Sequence, residues 1–288
     1  MSNKIPEKPV AARRVEGDGV GLAVYERGDP ARPTVVLVHG YPDDHRIWEG
    51  VAAELAGRFH VVAYDVRGAG ASDRPRGREP YVLSRLVSDL RAVADAVRPG
   101  EPVHLVGHDW GSIQGWEAVC TAPDRFASYT SVSGPSLDHV GHWMREASPL
   151  RTLRQVLSSW YIGFFRLPLL PELAWRSGLG GLLLSLAERH RPSSRHDAVA
   201  GLELYRANVR PRLRRPLERR TGVPVQLVIP ARDAYVTPEA AETALRWAPG
   251  ARVRRVRARH WLPATHPALL ARLVAEHVEH AVADGRTA

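Results

Sequence analysis

The sequence predicts an α/β fold: a mostly parallel central sheet with helices on both faces, interrupted by a helical insertion. Three observations predict it. Short β-branched runs such as "TVVLVHG" (34–40) and "VPVQLVIPA" (223–231) are mostly apolar, as strands covered on both faces are. Segments with helical spacing alternate with these runs. One long helical and aromatic stretch without strands, residues 135–220, breaks that alternation.

Taken in order, residues 1–12 read as a loose tail, and "VGLAVYERG" (20–28) alternates as a strand does. "TVVLVHG" ends in glycine, and the following "HRIWEGVAAELAGR" (45–58) has helical spacing at Trp48, Val51 and Leu55. "FHVVAYDVRG" (59–68) is a second buried strand and runs into a glycine-rich turn. "YVLSRLVSDLRAVADAV" (81–97) is an amphipathic helix that stops at Arg98-Pro99-Gly100. "VHLVG" (103–107) is a strand, and a helix opens at "SIQGWEAVC" (112–120). "FASYTSVSG" (126–134), "VPVQLVIPA" and "ARVRRVRA" (251–258) supply further strands. "TPEAAETALRWA" (237–248) and "PALLARLVAEHVEHAVA" (267–283) supply helices. The core is therefore expected over residues 1–134 and 221–288. Residues 135–220 are expected to form a cap over the carboxyl ends of the strands, where open α/β sheets place their sites.

Composition narrows the function classes. Of 288 residues, 44% are hydrophobic and 25% charged, which suits a soluble globular protein. The single cysteine, Cys120, excludes an internal disulfide framework and a multi-cysteine metal site, and it reads as core packing. The start has no apolar signal region and no run of about 18 apolar residues exists, so a cytoplasmic enzyme is expected. The net charge of +9 is carried almost wholly by arginine, crowded in "RANVRPRLRRPLERR" (206–220). That stretch lacks interleaved aromatics and zinc spacing, so nucleic acid is not an expected partner. It reads as a solvated arginine-rich face, with weak attraction to an anionic membrane surface as the lesser alternative.

The chemistry concentrates at Gly107-His108-Asp109-Trp110-Gly111-Ser112. This is small-x-nucleophile-x-small-small between a strand and a helix, the pattern of a nucleophile elbow. The residue at its tip adopts a strained backbone, so Gly107 and Gly111 must be small. A dinucleotide-binding fingerprint is absent. A nucleophile needs a base and the base an orienting acid: Asp233 and His260 each directly follow a strand, in the chain order acid then base. Asp138 is the alternative acid. His108 is expected to point into packing, and His266 falls in the next helix's first turn. His39-Gly40-Tyr41-Pro42 follows a buried strand, where an oxyanion-hole amide originates. The hole is assigned to the backbone N–H groups of Tyr41 and Trp110, with Pro42 a candidate cis proline.

An aspartate at the tip narrows the reaction. A carboxylate is ionised at neutral pH and attacks a saturated carbon without a base, forming an alkyl ester. His260, held by Asp233, then activates water against the Asp109 carboxyl carbon while the two amides take the developing charge. No cofactor and no metal are expected.

With "HGYP", "YDVRGAGASD", "GHDWGS", Asp233 and "RHW", most of the chain resembles the α/β-hydrolase-fold epoxide hydrolases and their sister haloalkane dehalogenases. It is similar to the hydrolase domain of actinobacterial proteins that continue into a short-chain dehydrogenase domain, and no such second domain is expected here. For an epoxide hydrolase the resemblance implies two cap tyrosines that grip the epoxide oxygen. Tyr161 in "SWYIGFFRLP" and Tyr205 in "LELYRANV" occupy similar contexts. An opening epoxide leaves as a poor alkoxide and needs such donors, whereas halide needs only polarised N–H groups, here Trp110 and Trp160. Dehalogenases often carry asparagine where Tyr41 stands. The expected function is hydrolysis of a small lipophilic epoxide to a diol. Haloalkane dehalogenation, another chemistry of the fold, and non-catalytic ligand binding are the alternatives.

Overall fold

The computed structural model describes residues 13–188, 190, 192–283 and 285; the expected tail, residues 1–12, lies outside the described residues. Eight strands form one sheet: β1 (Arg13–Glu16), β2 (Gly21–Arg27), β3 (Thr34–Val38), β4 (His60–Tyr64), β5 (Val103–His108), β6 (Phe126–Val132), β7 (Val225–Pro230) and β8 (Arg252–Val256). Their order is β1-β2-β4-β3-β5-β6-β7-β8. Pairing from β4 to β8 is parallel, and only β1 and β2 join antiparallel. Strand β1 has no counterpart in the sequence reading because "RRVE" leaves only Val15 buried and carries no apolar run.

The apolar runs are explained by burial on both faces: every residue of β3, β4, β5, β6 and β7 is buried. Helices Leu83–Val97 and Trp110–Thr121 cover one face, with Val87, Leu90, Val93 and Ala94 turned inward at helical spacing. Helices Glu49–Leu55 and Pro267–Ala283 cover the other through Val51, Leu55, Leu270, Val274 and Val278. Each such side chain contributes about 1.5–3 kcal/mol of burial, so the sheet is a rigid platform for whatever its ends carry.

Seven helices, from Leu137–Glu146 to Leu202–Arg214, lie between β6 and β7, and among the described residues this segment contains no strand. Over 206–220, Arg210, Arg214, Arg215 and Arg220 are exposed, as a solvated face requires, but Arg206, Arg212 and Arg219 turn to carboxylates instead. Arg206 donates to Glu172 at 2.7 Å and Glu203 at 2.8 Å, and Arg212 to Glu117 at 2.7 Å and Asp138 at 2.9 Å. Arg219 reaches Glu117 at 2.9 Å. The buried carboxylates of Glu117 and Asp138 need cations, and the insertion supplies them while fastening itself to helix Trp110–Thr121.

Candidate active site

Strand register sets the site. Strands β3 and β5 pair as far as Val38 and Gly107, so the segments holding Tyr41 and Asp109 leave the sheet side by side. Asp109 sits at φ 51°, ψ −119°, a left-handed strained conformation for an L residue. Its N–H donates to the Val132 carbonyl at 3.0 Å, and helix Trp110–Thr121 begins immediately after it. A methyl group at Gly107 would meet the Gly111 backbone, and one at Gly111 would meet the Val38 carbonyl. One at Gly40 would run into the Asp109 side chain. Each glycine is thus a clearance that the elbow requires.

The Tyr41 N–H donates to Asp109 Oδ1 at 2.8 Å, and the Tyr41–Pro42 peptide is cis. His39 holds this loop: its Nε2 accepts from the Val66 N–H at 3.0 Å, so its Nδ1–H donates to the Gly40 carbonyl at 2.9 Å. Trp110, the other amide assigned to the hole, is the first residue of the following helix. On the far side of the carboxylate, His260 Nε2 lies 3.6 Å from Asp109 Oδ2, longer than a hydrogen bond but within ion-pair range. His260 Nδ1 donates to Asp233 Oδ2 at 2.9 Å. Asp233 is itself aimed by backbone N–H groups, since its Oδ1 accepts from Tyr235 at 2.9 Å and Val236 at 3.0 Å.

Charge follows from this geometry. Burial disfavours an imidazolium, yet Asp233 and Asp109 outweigh it and raise His260 to about 10. Burial likewise opposes an ionised Asp233, but His260 and the two amides hold its carboxyl below the usual range. His108, buried beside the elbow, is pushed down to about 4 by desolvation; neutral, it donates Nε2–H to the His260 carbonyl at 3.0 Å.

Asp109 lies where two cavities of about 330 and 620 Å³ meet, and Tyr161, Tyr205 and Tyr235 line both. The rings of Tyr161 and Tyr205 stand 6.0 Å apart and nearly perpendicular. Burial, together with the nearby charge of Asp109, keeps both phenols well above their ordinary value, so they are hydrogen-bond donors throughout the working pH range. Tyr41 packs on Tyr205 at 5.3 Å and donates its hydroxyl to the Ala198 carbonyl, tying the elbow region to the insertion.

Other sequence candidates lie elsewhere. Asp138, the alternative acid, is spent on Arg212, Arg219 and the Leu217 N–H. His266 contacts Thr265. Trp160 is 70% exposed at the lip of the larger cavity rather than beside Asp109. Apart from Trp261, which stands in "RHW", the groups around His260 had no sequence signal. Tyr235 packs on its ring at 4.9 Å and on Tyr161 at 5.4 Å. Trp261 donates from its indole to Asp43 at 3.0 Å, which fixes the His260 loop. Gln155 donates to the Tyr235 carbonyl at 3.1 Å. Glu188 lines the larger cavity, and burial pushes its carboxyl up toward the neutral form.

The alpha/beta hydrolase fold family model matches residues 33–267, and the chain belongs to that family. It is 37% identical over 295 residues to "Probable oxidoreductase EphD" of Mycobacterium tuberculosis, covering 93% of this chain and 49% of that protein. The chain thus spans about half the length of that relative. It is 40% identical over 126 residues to "Epoxide hydrolase A" of the same organism, across 43% of this chain and 39% of the other. A solved structure of a mutant epoxide hydrolase from Bacillus megaterium with its diol product superposes with a TM-score of 0.79 at 23% identity, covering 93% of this chain and all of that one. That likeness shows the shared fold.

Proposed function

We propose that the protein is an epoxide hydrolase, converting an epoxide to a vicinal diol through an alkyl ester on Asp109. The observation that carries this reading is a carboxylate, instead of a hydroxyl, at the elbow, with two phenols lining the same junction of cavities. The resemblance to named epoxide hydrolases supports it. Helices of the insertion act as a cap that brings the phenols over the nucleophile.

In the first step Asp109 Oδ2 attacks an epoxide carbon, and the electron pair of the breaking C–O bond moves onto the epoxide oxygen. Tyr161 and Tyr205 donate hydrogen bonds to that oxygen, and it takes up one proton. The other carboxylate oxygen, Oδ1, already accepts from the Tyr41 amide and becomes the ester carbonyl. Esterification removes the Asp109 charge, one of the two that held the proton on His260. His260 loses that proton, which balances the one taken up by the opening ring.

In the second step neutral His260 Nε2 takes a proton from water as the water oxygen bonds to the Asp109 carboxyl carbon. The oxyanion forms at Oδ1 against the Tyr41 and Trp110 amides. The ester bond then breaks toward the diol oxygen, which is protonated by His260. The carboxylic acid left on Asp109 gives its proton to His260, which restores the starting charge state.

The decisive measurement is a single turnover of an epoxide in ¹⁸O-labelled water. Label should appear in the Asp109-containing peptide and not in the diol; label in the first-turnover diol overturns the covalent route. Halide release from bromoalkanes without epoxide turnover would assign the same nucleophile to dehalogenation.

A further inference from the structure

Thirteen of the fifteen large apolar side chains exposed among the described residues fall between 150 and 186; the others are Leu217 and Val282. Monomeric proteins rarely leave apolar surface so concentrated, and such a face marks an interaction site. Leu150, Leu169 and Leu186 are 77%, 72% and 72% exposed. Leu150, Leu153 and Leu157 line one surface cleft, and Leu157 passes with Trp160, Leu179 and Leu183 into the mouth of the 620 Å³ cavity that reaches Asp109.

Its charge is one-sided. Between residues 147 and 188 the only acids are Glu172 and Glu188. Glu172 is engaged by Arg206, and the Glu188 side chain is 6% exposed. Arg151, Arg154, Arg166 and Arg176 are exposed, and only Arg176, near Glu172, lies beside an acid of this segment. No helix among the described residues is long and apolar enough to cross a membrane, so a face of this kind lies on a surface instead of spanning it.

We propose that the outer face of residues 150–186 docks onto an anionic lipid surface, its leucines and Trp160 entering the headgroup boundary and its arginines pairing with lipid anions. The larger cavity then opens toward the lipid. Apolar epoxide dissolved there reaches Asp109 without crossing water, a consequence that rests on the reading given under Proposed function. The docking itself does not, because lipid binding is read without turnover.

Flotation with vesicles of phosphatidylcholine, with and without phosphatidylglycerol, tests the docking. The protein should float with the anionic vesicles at least about tenfold more tightly than with neutral ones, and salt should weaken the binding. Arg151→Glu/Arg154→Glu should abolish the preference. Leu150→Ser/Leu169→Ser/Leu186→Ser, changes at highly exposed positions, should abolish flotation. That triple variant should keep wild-type kcat/KM on a water-soluble epoxide and lose most of its rate on one dissolved in vesicles. Failure of the wild-type protein to float with anionic vesicles overturns the proposal. So does a wild-type dimer that the leucine substitutions dissociate without any vesicle binding, which would make the face a contact between copies. If flotation behaves as expected but no epoxide is turned over, docking stands and the catalytic reading falls.

Discussion

Asp109 and Asp233 come from loops at the ends of the fully buried strands β5 and β7, and His260 from the loop after the half-exposed edge strand β8, whereas Tyr161 and Tyr205 come from helices of the insertion. The first group is fixed by backbone: a left-handed φ at Asp109, glycine clearances, and amide donors to both carboxylates. The second is fixed by ring packing and by ion pairs such as Arg206–Glu172, in which each contact contributes modestly. Changes at the sheet edge should therefore be nearly all-or-none, and changes in the insertion graded.

The largest test of that contrast is Asp109→Asn. It should lower kcat on an epoxide at least about 10⁴-fold while the protein stays folded, read by steady-state kinetics and circular dichroism. Retained turnover would remove the elbow from the chemistry. Gly111→Ala should come next, costing about 3 kcal/mol or more in urea unfolding because the new methyl meets the Val38 carbonyl. A neutral result would mean that the elbow is pliable and the two regions are alike.

Tyr161→Phe and Tyr205→Phe should each slow epoxide opening about 10- to 100-fold, as loss of one donor to a developing charge does. Rapid-quench measurement of ester formation separates this from hydrolysis. A double mutant with normal turnover would leave the insertion without a chemical part. The smallest effect expected is on pH stability. His260 is raised from 6.5 to about 10 in the folded state, so its contribution is complete below about pH 6.5 and is lost as pH climbs toward about 10. Urea midpoints should fall across that range in the wild-type protein. In Asp109→Asn the fall should begin at lower pH, since one of the charges holding the proton is gone.

What the sequence made legible divides along the same line. The elbow could be read because its constraint is local: two glycines around an aspartate between a strand and a helix record a backbone that tolerates little else. Asp233 and His260 could be read because each directly follows a strand. Tyr235 and Glu188 could not, since their relation to His260 is made by loops and helices meeting in space. Edge strand β1 was hidden because its solvent-facing arginines erase the apolar pattern. Arg212 and Arg219, unlike their exposed neighbours, could not be read for a related reason: sequence counts charge but does not show that Glu117 and Asp138 stand across from them.

The chain enters the insertion through Ser133 and Gly134. Ser133 has φ 53°, and a methyl group at Gly134 would strike the Asp109 carbonyl. The Gly134 carbonyl accepts from Ser112 Oγ at 2.7 Å, in the first turn of the helix behind Asp109. The first residues past β6 are thus clamped to the elbow before the helical segment begins. The insertion is therefore joined to the aspartate at two separate points, through this backbone clamp and through Tyr41, whose amide holds the carboxylate while its hydroxyl reaches Ala198.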